Sequence, residues 1–172
     1  MSEADPPTLT LRPQTAADAL ALATWLTDPQ AEWRQWDAPY LLSAAAPSLE
    51  HSDQPHERLL LCGGALIGLV TRHPEAPESG GWWELGIVIF DAPRWGQGLG
   101  TRALREWTEL TFAETNAHVL TLSTWSGNLR MIRAAERVGY RECARVHEAR
   151  LWQGVRYDHL RLELLRNASH GS

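Results

Sequence analysis

Gly96, Gly98 and Gly100 stand at alternate positions in the run Trp95-Gly96-Gln97-Gly98-Leu99-Gly100-Thr101. Without side chains the backbone there is bare, so several amide N–H groups can converge on an anion at the positive end of the helix that follows. The chemistry this suggests is phosphate binding, although a tight strand-to-helix turn without a ligand uses the same residues. The run is neither the G-x-G-x-x-G of dinucleotide sites nor the Gly-Lys-Ser/Thr of a P-loop. Fourteen positions before Gly98 stands Glu84, the one carboxylate in the apolar stretch Trp82 to Phe90. Among Trp82, Trp83, Leu85 and Ile87 it loses solvation and becomes a better base, pairs with an arginine, or only positions a substrate. Asn128 precedes another helical pattern, where an asparagine commonly caps the first turn. His73, His118, His147 and His159 show no metal-ligand spacing, so surface or strand-edge positions are expected for them and no metal is expected.

The elements that must position these residues follow from hydrophobic periodicity. Thr8 to Arg12 alternates as a strand, and Thr15 with Asp18 opens a helix whose inner face is Ala19, Leu22 and Leu26. Trp33 to Tyr40 predicts a short helix, followed by a long polar loop. Arg58 to Cys62 and Ala65 to Arg72, joined by Gly63-Gly64, predict a hairpin. Trp82 to Phe90 is apolar on both alternating faces, as in a central strand. Leu99, Ala103, Trp107 and Leu110 mark a helix to about Glu114. Val119 to Trp125 predicts a strand, and Asn128 to Val138 a helix ended by Gly139. Two last strands flank Gly154, and the tail 167–172 is expected to be disordered.

With these elements in place, Glu84-Leu85-Gly86-Ile87 and Trp95 to Thr101 resemble the signature of the GNAT superfamily of N-acetyltransferases, whose Q/R-x-x-G-x-G/A turn binds the pyrophosphate of acetyl-CoA. Trp95 takes the Q/R slot, as in the subgroup of ribosomal-protein N-terminal and polyamine acetyltransferases. Asn128 with Arg133-Ala134-Ala135-Glu136-Arg137-Val138-Gly139-Tyr140 is similar to the family's N-x-x-S-x-R-x-A-E-K-x-G-F, and Gly154 to Asp158 resembles its closing strand. The resemblance implies one acetyl-CoA-binding domain over 1–172, ordered from about 8 to 166. Its fold would be α/β (α+β): a mixed, mostly antiparallel sheet of about seven strands, splayed in the middle, with about four helices on both faces.

The resemblance also implies a site. Val88, Ile89 and Phe90 would take the pantetheine arm like an added strand, with a backbone N–H polarising the thioester carbonyl. Trp95, Gly96, Gln97, Gly98, Leu99, Gly100, Thr101 and Arg133 would bind the rest of coenzyme A, and Asn128 would hold the arm from the other side. Glu84 falls in the slot where some members carry their general base. The slots where members carry an acid for the leaving thiolate are Ala135 and Met131, which leaves Tyr140, Tyr157 or water. Acceptor specificity would come from Trp33, Trp36, Asp37, Tyr40, Trp82, Trp152 and Asp158, arranged as an aromatic box with acidic walls or else closing the core. The implied reaction moves an acetyl group from acetyl-CoA to a primary amine of a small molecule, a polyamine or a protein N-terminus. The rival reading is a binding module of this fold that has lost turnover.

Composition agrees with that class. A chain of 172 residues, 44% hydrophobic, suffices for one domain with its own core. A net charge of -5 argues against nucleic acid and for an amine-bearing partner. Arg, Asp or Glu interrupts every apolar run well short of the roughly 20 residues of a membrane span. Cys62 and Cys143 are far apart and no signal-like run opens the chain, so reduced thiols and a cytoplasmic location are expected. All 16 basic residues are Arg, which excludes Schiff-base lysine chemistry. An exposed edge strand or the Trp-rich last hairpin offers a surface for a homodimer.

Overall fold

The computed structural model describes residues 7–36 and 56–168. Its strands are β1 (Leu9–Arg12), β2 (Glu57–Cys62), β3 (Ala65–Pro74), β4 (Trp82–Ile89), β5 (Val119–Trp125), β6 (Arg141–Trp152) and β7 (Val155–Leu165). The helices are α1 (Ala19–Thr27), α2 (Leu99–Glu114) and α3 (Leu129–Val138), with residues 34–36 also helical. One seven-stranded sheet runs β1-β2-β3-β4-β5-β7-β6, antiparallel except between β4 and β5. Among the described residues no helix is long and apolar enough to cross a membrane.

Helices cover both faces because alternate strand residues are apolar on both sides. Leu104, Trp107 and Phe112 of α2 and Ala135 of α3 pack with Leu85, Leu120, Leu122, Leu160 and Leu162 on one face. On the other face Leu22 and Leu26 of α1 pack with Leu59, Leu61 and Phe90. Ala19, expected on the inner face of α1, is exposed; Leu22 and Leu26, with the half-buried Trp25, carry that contact. The start of α1 is held by Asp18, which accepts hydrogen bonds from Thr15 N (2.8 Å) and from Arg12 of β1 (2.7 and 2.8 Å). Asn167 lies in a short 3-10 turn, Arg166–Ala168, where disorder was expected, because Arg166 donates hydrogen bonds to the carbonyls of Phe112, Thr115 and Ala117; residues 169–172 lie outside the described residues. β6 forms an edge of the sheet and is exposed from Arg141 to Ala149, which is the surface on which the expectation of a homodimer rests.

The centre of the sheet opens. β4 and β5 pair only from Trp82↔Val119 to Leu85↔Leu122, although β4 continues to Ile89 and β5 to Trp125. Beyond that point each strand follows its outer neighbour, β4 as far as Ile89↔Gly68 and β5 as far as Trp125↔His159. The expectation that Trp82 to Phe90 is buried throughout therefore holds only in part. Trp83, Glu84 and Leu85 are buried, whereas Gly86 to Ile89 are half-exposed, because the departing β5 uncovers one edge. β3 holds β4 through the opening by close approach: a Cβ on Gly68 would lie 2.2 Å from Val88 O. Replacing Gly68 by Ala must push the two strands apart there. Gly68→Ala is expected to destabilise the fold by about 1–3 kcal/mol, read as a lower urea midpoint with an unchanged m-value.

Candidate functional site

The glycine turn leads from the open end of β4 into α2. Gly96 and Gly98 have φ of 78° and 76°, and a Cβ at either would meet nothing within 4 Å, so conformation and not crowding calls for glycine. Gly98 is the N-cap of α2 and brings no capping side chain, while the intrahelical ladder begins only at Arg102 N, 3.1 Å from Gly98 O. The N–H groups of the first turn are thus left for a ligand. The indole Nε1 of Trp95 donates to Ile89 O (3.0 Å) and fixes the turn against the strand. Between this turn, β4 and α3 lies a cleft of about 400 Å³, lined by Ile87, Val88, Ile89, Trp95, Gly96, Gly98, Leu99, Gly100 and Thr101 and, from α3 and its cap, by Asn128, Met131 and Arg133.

Four arginines rim the cleft: Arg94, Arg130, Arg133 and Arg137. Arg94 is paired with Asp91 at 2.7 Å. The guanidinium of Arg130 lies 4.8 Å from the Trp95 ring and 5.2 Å from the Trp36 ring, a cation–π position against both. A bare helix N-terminus beside several cations suits a phosphate-rich ligand.

Through the gap in the sheet the cleft meets a second cavity of about 300 Å³. Its walls include Leu69, Thr71, Gly86, Ser123 and Thr124, and it shares Trp36, Ile87, Val88, Asn128 and Met131 with the first. Peptide groups in a strand alternate between its two edges. Phe90 N donates to Ile67 O (2.7 Å), so the groups of Phe90 and Val88 face β3, and those of Ile87 and Ile89 face the gap.

A family model for the acetyltransferase (GNAT) domain matches residues 8–141. The chain belongs to the GNAT acetyltransferases. It is an acetyl-CoA-dependent N-acetyltransferase. An aminoglycoside N(6')-acetyltransferase type 1 of Klebsiella pneumoniae is 26% identical over 149 residues, covering 77% of this chain and 73% of the relative. At the level of the fold, the spermidine N-acetyltransferase of Vibrio cholerae, in complex with CoA and spermine, matches with a TM-score of 0.73 and 20% identity, covering 95% of this chain and 98% of that one. AAC(6')-Ib in complex with paromomycin and acetyl-CoA matches with a TM-score of 0.72 and 20% identity, covering 96% of this chain and 97% of that one. The seven-stranded sheet split at its centre is the fold that the resemblance implied.

Within this GNAT domain most of the expected cofactor residues converge on the cleft, with two exceptions. The side chain of Phe90 is buried against Trp25 and Trp33, and Gln97 folds back to donate to Pro93 O (3.0 Å). Glu84 lies behind the second cavity and not on its wall. It accepts a hydrogen bond from Thr121 Oγ1, which in turn accepts one from Trp82 Nε1 (2.8 Å), and Arg161 Nε stands 3.7 Å from its Oε2.

The expected acceptor box does not assemble from the described residues. Trp36 lines both cavities and Trp33 the first, but Trp33 is also buried against Phe90. Trp82 stands over Arg161, Trp152 ends β6, and Asp158 holds Arg145 at 2.6 Å. Asp37 and Tyr40 lie outside the described residues. Tyr140 is 1% exposed and shares a hydrogen bond with Thr108 on the α2 side, and burial pushes its phenol up. Tyr157 packs its ring on Trp125, 4.7 Å away.

Sequence reasoning missed Arg94, Arg130 and Arg137 on the cleft and Thr71, Ser123 and Thr124 on the second cavity. The spacing of Arg130, Arg133 and Arg137, three and then four apart, was the available signal of one basic helical face. Asn128 Oδ1 accepts from Met131 N (3.2 Å) and caps α3 at the mouth of the gap. Asn128→Ala should lower stability by about 1 kcal/mol, and Asn128→Asp, an equally good cap, should restore most of it. Paired urea denaturation curves of the two variants check this.

Proposed function

We propose that this chain, acting as one domain, transfers the acetyl group of acetyl-CoA directly to a primary amine while both substrates are bound. One observation carries the reading: two cavities that share Trp36, Ile87, Val88, Asn128 and Met131 meet at the gap between β4 and β5. Two reactants, one in each cavity, would be held at one point, which replaces a bimolecular encounter by a positioned one. The acetyl donor supplies a thioester carbonyl and a thiolate leaving group. Toward it the α2 N-terminus, Arg130 and Arg133 bind phosphate charge, while the gap-facing peptide groups of Ile87 and Ile89 hold the arm and polarise the carbonyl. Asn128 and Met131 close the opposite side.

The amine enters past Trp36, Thr71 and Ser123. An acceptor that arrives as an ammonium must lose a proton before it attacks, and Glu84 is the base. Because Glu84 sits behind the wall of the cavity, the proton reaches it through an intervening hydroxyl or one water, and not by direct contact. No carboxyl or phenol stands at Ala135 or Met131, and Tyr140 is sealed in the core, so water in the open cleft protonates the leaving sulfur. Small amines and protein N-termini both suit such a cavity. The relatives named for aminoglycosides and spermidine support an amine acceptor as the class.

Glu84→Gln keeps the shape and the bond from Thr121 but cannot take a proton. It is expected to lower kcat by about 10²-fold or more with little change in acetyl-CoA affinity, measured by release of free CoA thiol in the presence of an amine. Unchanged turnover would remove Glu84 from the mechanism.

A further inference from the structure

The sheet face on which the amine enters carries cations next to the gap. β7 borders β5 there, with Ser123 opposite Arg161 and Trp125 opposite His159, and Arg150 of β6 reaches His159 with Nη2 3.2 Å from Nδ1. Ser123 forms part of the cavity wall, so Arg161 is the first charged residue beyond it. The guanidinium of Arg161 lies over the Trp82 ring, 5.1 Å from its centre, and Nε is 3.5 Å from Ser123 Oγ and 3.7 Å from Glu84 Oε2. Those contacts orient the planar group through Nε. Neither Nη is held by a described residue, and the side chain remains 31% exposed.

The carboxylates nearby are placed elsewhere. Glu84 is engaged by Thr121 and Arg161, and Glu163 lies opposite Thr121, further from the gap. Asp158 is bound to Arg145 and to Glu148 N. His159 reports the resulting field: burial first, then Arg150 and Arg161, lower its pKa and favour the neutral ring. A polycationic acceptor would meet Arg161 with like charge and find no carboxylate among the described residues of this wall. A planar anion would meet an oriented guanidinium fork.

We infer that the acceptor is an amine that also carries a carboxylate, with Arg161 binding the carboxylate while the amine reaches the gap beside Ser123. This rests on the N-acetyltransferase reading and narrows its substrate. Arg161 has a specificity role here in addition to its contact with Glu84.

The test is CoA thiol release by the full chain with acetyl-CoA and four kinds of amine: amino acids as free acids, the same amino acids as carboxamides, spermidine, and a 6'-amino aminoglycoside. The expected result is a kcat/KM about tenfold or more higher for the best free acid than for its carboxamide, as loss of a charge-assisted hydrogen bond predicts. Arg161→Gln should raise KM for the free acid about tenfold without raising KM for the carboxamide or for acetyl-CoA. Arg150→Gln, which leaves the partners of Glu84 in place, should shift the acid-to-amide ratio in the same direction by less, and it carries the test if the first variant does not fold. Preference for spermidine or the aminoglycoside overturns this inference and leaves the acetyltransferase reading standing. An acid-to-amide ratio of kcat/KM left unchanged by Arg161→Gln also overturns it, since Arg161 would then serve only Glu84. Turnover of none of the amines overturns both.

Discussion

The parting of β4 from β5 after Leu85↔Leu122 is the constraint from which the rest of the site follows. A strand in mid-sheet that loses one neighbour exposes peptide groups that must find other partners. Here β4 stays in place because β3 holds its far edge, with Gly68 allowing a backbone approach that no side chain would permit. β5 stays in place because β7 pairs with it along its whole length. The opening is therefore braced by a paired strand on both sides and is floored by the buried cluster of Leu85, Leu120, Leu122 and Ala135 beneath it. A gap so framed can accept an extended arm as a strand would be accepted.

Electrostatics divide the molecule in the same place. The whole chain carries a formal charge of -5, yet Arg94, Arg130, Arg133 and Arg137 surround the cleft at the bare N-terminus of α2. Local field, not net charge, decides what binds there. The Trp36 and Trp95 rings meet edge to face and both lie against the Arg130 guanidinium, and Trp36 reaches both cavities, so one aromatic side chain links the phosphate-binding side to the acceptor side. Trp125 Nε1 donates to Trp36 O (2.6 Å) and ties that residue to the end of β5.

What could be read from the sequence was what local chemistry specifies. The glycine turn, the cap at Asn128, the glycine ending α3 and the hairpin at Gly63-Gly64 are each set by residues within a few positions of one another, and each stands where expected. Glu84 was conspicuous as a lone carboxylate, but its partners Thr121 and Arg161 come from strands 37 and 77 positions away, and their proximity depends on parallel pairing of β4 with β5 and antiparallel pairing of β5 with β7. Ser123 was invisible for the same reason. Asp158 was expected on the acceptor wall from its place in the last hairpin. The irregular pairing between Val146 and Arg150 brings Glu148 N onto it instead, and Arg145, in register with Leu160, pairs with its carboxylate. Register, which the pattern of apolar residues only partly reveals, separates the residues that were legible from those that were not.

The most direct measurement is a thermal-shift titration of the intact chain with acetyl-CoA, coenzyme A and NAD, because a ligand that binds only the folded state must raise its apparent stability. A cleft built from an uncapped helix, a basic rim and an open strand edge predicts that Tm rises with acetyl-CoA and with coenzyme A and stays constant with NAD. A constant Tm with all three, at concentrations far above those at which such ligands bind, would contradict it.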